Sequence, residues 1–192
     1  MTTVENKILN AIKYFVINTQ KVGRTKLFKL LYFWDFYYFE KHGKSISGFK
    51  YFAYPFGPVP KELFESIDND KLPDYLDSQI EIVEDTEYEN DDGFKRFKVV
   101  LKNKVIDLDV FTPYEKEMMQ KVVEIFKYAS AKDMTEASHF HNMPWKITID
   151  KKGEFSEIDY MLGKSKDTPF DEEEIKERMF LQNELTHNGY NR

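Results

Sequence analysis

Residues 26–41 read KLFKLLYFWDFYYFEK. Leu27, Phe28, Leu30, Leu31, Phe33, Trp34, Phe36, Tyr37 and Tyr38 leave this stretch, as a helix, apolar in nearly every direction. A helix with no polar face belongs in the middle of a bundle. Thr25 is in place to cap its start, and Gly43 to end it in a left-handed conformation. The rest of the fold is expected to wrap this rod.

Working outward, Thr2 and Glu5 form a capping box for a first helix. Its Val4, Ile8, Ala11, Ile12 and Phe15 share one face, and Gly23 ends the segment. Residues 48–54 look extended. Pro55, Gly57, Pro58 and Pro60 then force a turn, and Pro60 suits the first position of a short helix through Ile67. Residues 79–101 read as a hairpin turning at Asn90-Asp91-Asp92-Gly93. Thr112-Pro113-x-Glu115 opens a helix to about Tyr128, with Tyr114, Met118, Val122, Ile125 and Phe126 inward. Ser130 caps a helix over 131–141 that ends by Pro144. A short helix near 156–162 and a charged one from Asp171 to Leu185 follow, and the tail THNGYNR is expected to fray. The fold class predicted is α+β: a mostly helical bundle around the aromatic helix. A small antiparallel sheet from 48–54 and the 79–101 hairpin completes it.

The 192 residues contain no repeat, low-complexity tract or Gly/Ser linker, so one domain over 1–192 is expected. Its core covers about residues 6–160, with a helical extension over 165–192. Hydrophobic residues at 41% and charged residues at 32% exclude a membrane-embedded or disordered chain. The absence of cysteine excludes disulfides and thiol nucleophiles. The start MTTVENKILN lacks an apolar stretch behind a basic flank, so it is not a secretory signal. A soluble cytoplasmic protein is expected. The charge is polarised. Residues 21–50 carry a net +5, and residues 62–92 a net -12.

Catalytic parts are scarce. His139 and His141, two apart on a helix, point away from each other and cannot share a metal. Glu136 and His139 form at most a two-ligand start. Asp150-Lys151-Lys152 with Pro73-Asp74 has only the short spacing of a metal-dependent nuclease. No phosphate loop, nucleophile elbow or calcium loop occurs. The helix-Gly-helix arrangement over 4–41 resembles a helix-turn-helix, with Lys21, Arg24, Lys26 and Lys29 near the second helix's start, where phosphate is welcome. A recognition helix must show polar side chains to base edges, however, and this one offers aromatics. The run Phe49-Lys50-Tyr51-Phe52-Ala53-Tyr54-Pro55-Phe56 is apolar on both faces as a strand, so helices or a partner must cover it.

At Lys26-Leu27-Phe28-Lys29-Leu30-Leu31-Tyr32-Phe33 the chain resembles the Panacea (SocA-like) antitoxin family. The same order continues through His42-Gly43-Lys44-Ser45-Ile46-Ser47-Gly48 and Tyr54-Pro55-Phe56-Gly57-Pro58-Val59-Pro60. It then reaches the small-residue helix at Ser130-Ala131 and the His-to-Pro-Trp element, with His139 and His141 before Pro144-Trp145. The resemblance implies a compact, mostly helical domain without catalytic activity, cofactor or metal. It implies a cognate protein toxin, encoded nearby, as the partner, often in a phage or defence context. One branch of the family delivers its toxin to a protease, which makes a proteolytic adaptor the alternative. A nucleic-acid-binding phage regulator is the rival of another class, and a metal-dependent hydrolase the third. With the domain starting in the first ten residues, an added N-terminal DNA-binding module has no room. No membrane contact is expected.

The docking surface expected is the aromatic segment. Tyr51, Tyr54 and Phe56 are the anchors, with Gly57 and Pro58 fixing the turn that presents them. Glu84, Glu87 and Glu89 of the acidic hairpin would steer a basic partner towards them.

Overall fold

A computed structural model describes residues 1–86 and 95–187, with side chains through residue 184. Helix α1 (Thr3–Asn18) opens with the Thr2/Glu5 capping box. Helix α2 (Arg24–His42) is the central rod. Its rings point outward in all directions and pack on several different elements. Trp34 meets Phe15 of α1 and Phe111, each edge-on at 6.1 Å. Phe33 stacks on Phe126 of α5 (Pro113–Phe126) at 4.6 Å. Phe36 stacks on Tyr160 in the 3-10 turn Tyr160–Gly163 at 4.7 Å, and Phe28 meets Phe64 of α3 (Lys61–Asp68) at 6.2 Å. The protein is mostly helical α+β, as the all-round apolar helix predicts.

Gly43 ends α2 with φ 65°, its N–H bonded to the Phe39 carbonyl. At the other end Gly23, not Thr25, occupies the cap. Residues 22 and 23 lie alongside strand β4 (Phe97–Leu101), where Val99 N–H donates to the Val22 carbonyl at 3.0 Å. A Cβ on residue 23 would stand 2.5 Å from the Phe97 carbonyl oxygen. Strand contact therefore sets the helix start.

The strands form two separate sheets rather than one. Strand β1 (Tyr51–Tyr54) pairs with β2 (Gly57–Pro60) across the two-residue turn Pro55-Phe56. Residues 155–158 cover the other side of β1 through Ala53 N–H to Ser156, Phe155 N–H to Ala53 and Ile158 N–H to Tyr51. Strand β3 (Ile80–Glu84) pairs with β4. Residues 48–54 do not join this hairpin, because β2 and residues 155–158 already take both edges of β1. Pro60 ends β2 and caps α3 instead of starting it. The expected hairpin turn 90–93 lies outside the described residues.

Further along, α4 (Asp74–Asp77) precedes β3. The Thr112/Glu115 capping box opens α5 as predicted. Met118, Val122 and Phe126 are buried, but Tyr114 and Ile125 are exposed. Glu115, Met119 and Phe126 centre the buried stripe, which leaves Tyr114 and Ile125 at its margin. Helix α6 (Ala131–Ser138) is shorter than expected, with His139 as its C-cap. Pro144, read as a stop, begins the unpredicted α7 (Pro144–Lys152), where the missing N–H costs nothing. Helix α8 (Glu172–His187) closes the described chain. No described helix is long and apolar enough to cross a membrane.

Candidate partner-binding surface

The side chains of Lys26, Lys29 and Asp35 on α2 are buried, and each bonds main-chain groups. Lys26 Nζ donates to the Gln20 and Ala129 carbonyls at 2.7 Å. Asp35 accepts from the Ile46 and Ser47 N–H groups at 2.9 Å, from the Ser47 hydroxyl and from the Tyr51 hydroxyl at 2.7 Å. Burial pushes the Asp35 carboxyl up, against these hydrogen bonds, which hold it down. These bonds set the loop that carries Gly48, whose φ of 73° favours glycine.

The third is Lys29. Its Nζ donates to the Phe56 carbonyl at 2.5 Å from a site that is almost solvent-free. Burial lowers its pKa to about 8. Gly57, at φ 118°, packs on the lysine, and a Cβ there would lie 2.8 Å from Lys29 Cε. A second buried donor, Trp145 Nε1 of α7, reaches the Tyr54 carbonyl at 2.9 Å. His139 lies flat on the Trp145 ring, 3.7 Å away at 6°. Burial first, then Lys29 and Lys146, holds its imidazole below the usual range. The Thr135 hydroxyl of α6 also donates to the Phe56 carbonyl, at 3.4 Å, so the β1–β2 turn is held through its backbone carbonyls from three helices. The side chain of Phe56 is left 68% exposed.

Tyr54 is half-buried between Phe64 at 5.2 Å and Phe155 at 5.0 Å. Phe155 is itself exposed and has φ 60°, a region that costs a bulky residue about 1–3 kcal/mol. Phe140, between α6 and α7, is also exposed. The residues singled out from sequence therefore divide. Tyr54, Phe56, Gly57 and Pro58 come together at the turn, with Gly57 and Pro58 buried beneath it. Tyr51 does not belong to this surface: it is fully buried against Asp35, Tyr32 and Tyr160, and cannot anchor a partner. Its ring alternates inward along β1, so core packing takes it. Leu27, Leu30, Leu31, Tyr32 and Phe33 are core, Val59 is half-buried, and Pro144 is buried. Glu84 is on the other sheet, paired with Lys95 at 3.1 Å. Glu87 and Glu89 lie outside the described residues.

The basic cluster near the start of α2 does not face outward as a unit. Lys26 and Lys29 are buried, and Arg24 is paired with Asp68 at 2.6 Å. Asp150 is bonded to Lys146 on its own helix, and Asp74 opens α4. Among the described residues no three metal-ligating side chains cluster. Phe140 and Phe155 escaped sequence reasoning, since neither sits in a periodic run. The left-handed pair Gly153 and Phe155 is visible only in the backbone.

The architecture is a mostly helical α+β domain that presents a clamped aromatic turn. The family described as antitoxin SocA-like, Panacea domain, matches residues 27–146, and the chain belongs to that family. The matched region holds α2 from Leu27 onward, the clamped turn and Trp145. No curated protein and no solved structure matches the chain.

Proposed function

We propose that the chain is an antitoxin that neutralises a protein toxin by direct binding, not by catalysis. Phe56 is the central anchor, and Tyr54 flanks it. The family match supports a toxin as partner. The observation that carries the reading is an exposed ring on a turn whose backbone is fixed by buried Lys29 and Trp145. A ring held in this way loses little freedom on binding, which is what a hot spot needs. Phe140 and Phe155 add exposed aromatic surface from the neighbouring segments.

The test is co-expression with the product of the adjacent gene. Growth rescue and co-purification are expected. Phe56→Ala should leave the melting temperature unchanged and weaken the complex by about 30-fold, or about 2 kcal/mol. A folded Phe56→Ala protein that rescues and binds at wild-type strength removes the turn as the docking site. Failure of the wild type to rescue or co-purify counts against the antitoxin reading itself. Delivery of the toxin to a protease is the narrower alternative, and it predicts toxin loss rather than toxin retention in the rescued cells.

A further inference from the structure

Among the described residues, one edge of the β3–β4 hairpin is covered and the other has no backbone partner at Ile82 and Glu84. Val99 N–H turns away from β3 and donates to the Val22 carbonyl at 3.0 Å. Val99 stands opposite Ile82, so Ile82 likewise directs its N–H and C=O away from β4. The ends of the ladder agree. Lys102 N–H donates to Gln79 C=O, and Asp85 N–H to Arg96 C=O, so the odd-numbered residues of β3 face β4. The even-numbered residues Ile80, Ile82 and Glu84 therefore point their backbone groups outward. Ile80 is buried, Ile82 is half-buried and Glu84 is exposed. Among the described residues, none bonds the outward N–H or C=O of Ile82 or Glu84.

Such an edge is a template for another strand. Its sequence selects the occupant. Residues 74–85 carry Asp74, Asp77, Glu81, Glu84 and Asp85 and no basic residue. Glu84 and Asp85 are paired with Lys95 and Lys98, which leaves Glu81 exposed on β3 and Asp74 and Asp77 on the preceding α4 as the acidic set. A second copy of this chain would bring the same acidic set against this one, and like charges placed opposite each other destabilise a strand pair. A strand with lysine or arginine alternating with β-branched residues has the complementary charge. By contrast, β2 cannot serve this role well, because Pro58 and Pro60 remove two of its N–H donors.

We infer that the outer edge of β3 binds an extended, basic segment of a partner protein by adding it as a strand. This contact is separate from the β1–β2 turn, and its test needs no toxin. The probe is a fluorescent peptide alternating lysine and valine, capped at both ends, titrated with the full chain at low salt. A second peptide carries N-methyl groups on alternate amides along one edge, which keeps its charge and removes its pairing donors. The expected result is saturable binding to the first peptide and at least roughly tenfold weaker binding to the second. Glu84→Pro removes an outward donor without touching the β3–β4 ladder, so it should weaken binding about as much. Glu84→Gln, which loses only charge, should have a smaller effect. Equal binding of both peptides reduces the contact to charge attraction and overturns the inference, as does no binding to either. If Glu84→Pro fails to fold, the comparison of the two peptides decides. Sedimentation of the chain alone as a dimer that Glu84→Pro dissociates would assign the edge to a second copy, and that also overturns it.

Discussion

Lys29→Met should flatten the rise of stability with alkaline pH. In the folded protein the Lys29 amine titrates at about 8, against 10.5 for an unburied lysine, because burial disfavours its charge. Below pH 8 the ammonium is present in both states and burdens only the folded one. Between about 8 and 10.5 the folded protein has released this proton and the unfolded chain has not. The unfolded state then binds more protons, so stability rises with pH. From pH 7 to 9.5 the gain from this one group is about 2 kcal/mol. For a chain of this size that is about 4–8 °C in melting temperature. Methionine fills a similar volume and cannot titrate. Tyr32, Tyr51 and Tyr160 are all held above the usual tyrosine range by burial, so unfolded tyrosines ionise first at higher pH and oppose the trend. They do so equally in both proteins and cancel in the difference. The assay is thermal unfolding by circular dichroism, wild type against Lys29→Met, in half-unit steps at fixed ionic strength. The wild type should gain on the variant by about 2 kcal/mol across that range. Parallel curves would refute the placement of Lys29 as a buried, desolvated amine under the turn.

Three other substitutions probe the same frame. Asp35→Ala strands the Ile46 and Ser47 N–H groups and the Tyr51 hydroxyl, and should cost at least about 3 kcal/mol in urea unfolding. A loss under about 1 kcal/mol would mean water or relaxation satisfies those donors. Gly57→Ala meets both a φ of 118° and the Lys29 side chain, and should lower stability by at least about 1 kcal/mol. An unchanged melting temperature would show that the turn is not held tightly. Phe155→Gly relieves the left-handed strain and deletes an exposed ring, so the melting temperature should hold or rise while toxin binding weakens; a marked fall in melting temperature would make Phe155 a packing residue.

The helices were legible where the signal was local. Thr2/Glu5 and Thr112/Glu115 cap their helices as read, because a capping box needs only neighbours in sequence. The central place of α2 was legible from an apolar surface with no polar side. The misreadings arise where a distant segment decides. Gly23 replaces Thr25 as the cap because β4 lies against it. Pro144 begins a helix because the following Trp145 has a place to bury, and proline suits a first turn as well as it ends one. The site was half legible. Phe56 and Gly57 follow from the turn chemistry of two prolines and a glycine. Tyr51 was misassigned because strand alternation says that Tyr51 and Tyr54 face opposite ways, but not which way is in.

The side chains that clamp the turn come from distant parts of the sequence, Lys29 on α2 and Trp145 on α7, with Thr135 of α6 adding a longer bond to the Phe56 carbonyl. All three address carbonyl oxygens, of Phe56 and Tyr54, and none touches the recognition side chain through its hydrogen bond. A carbonyl clamp makes no demand on what the side chain at 54 or 56 is. It fixes only where the Cα–Cβ bonds point. Gly57 is the exception, since its missing Cβ is what allows Lys29 to approach. Such a frame can hold while the exposed residues of the turn are exchanged to suit another partner, as affinity depends on the ring presented and on how little freedom it loses. Substitutions at 56 should therefore redistribute binding among partners with little change in stability. Substitutions at 29, 57 or 145 should weaken every partner together. If the partner docks on the turn as proposed, the division between residues that present and residues that contact follows from the geometry of the bonds to its carbonyls.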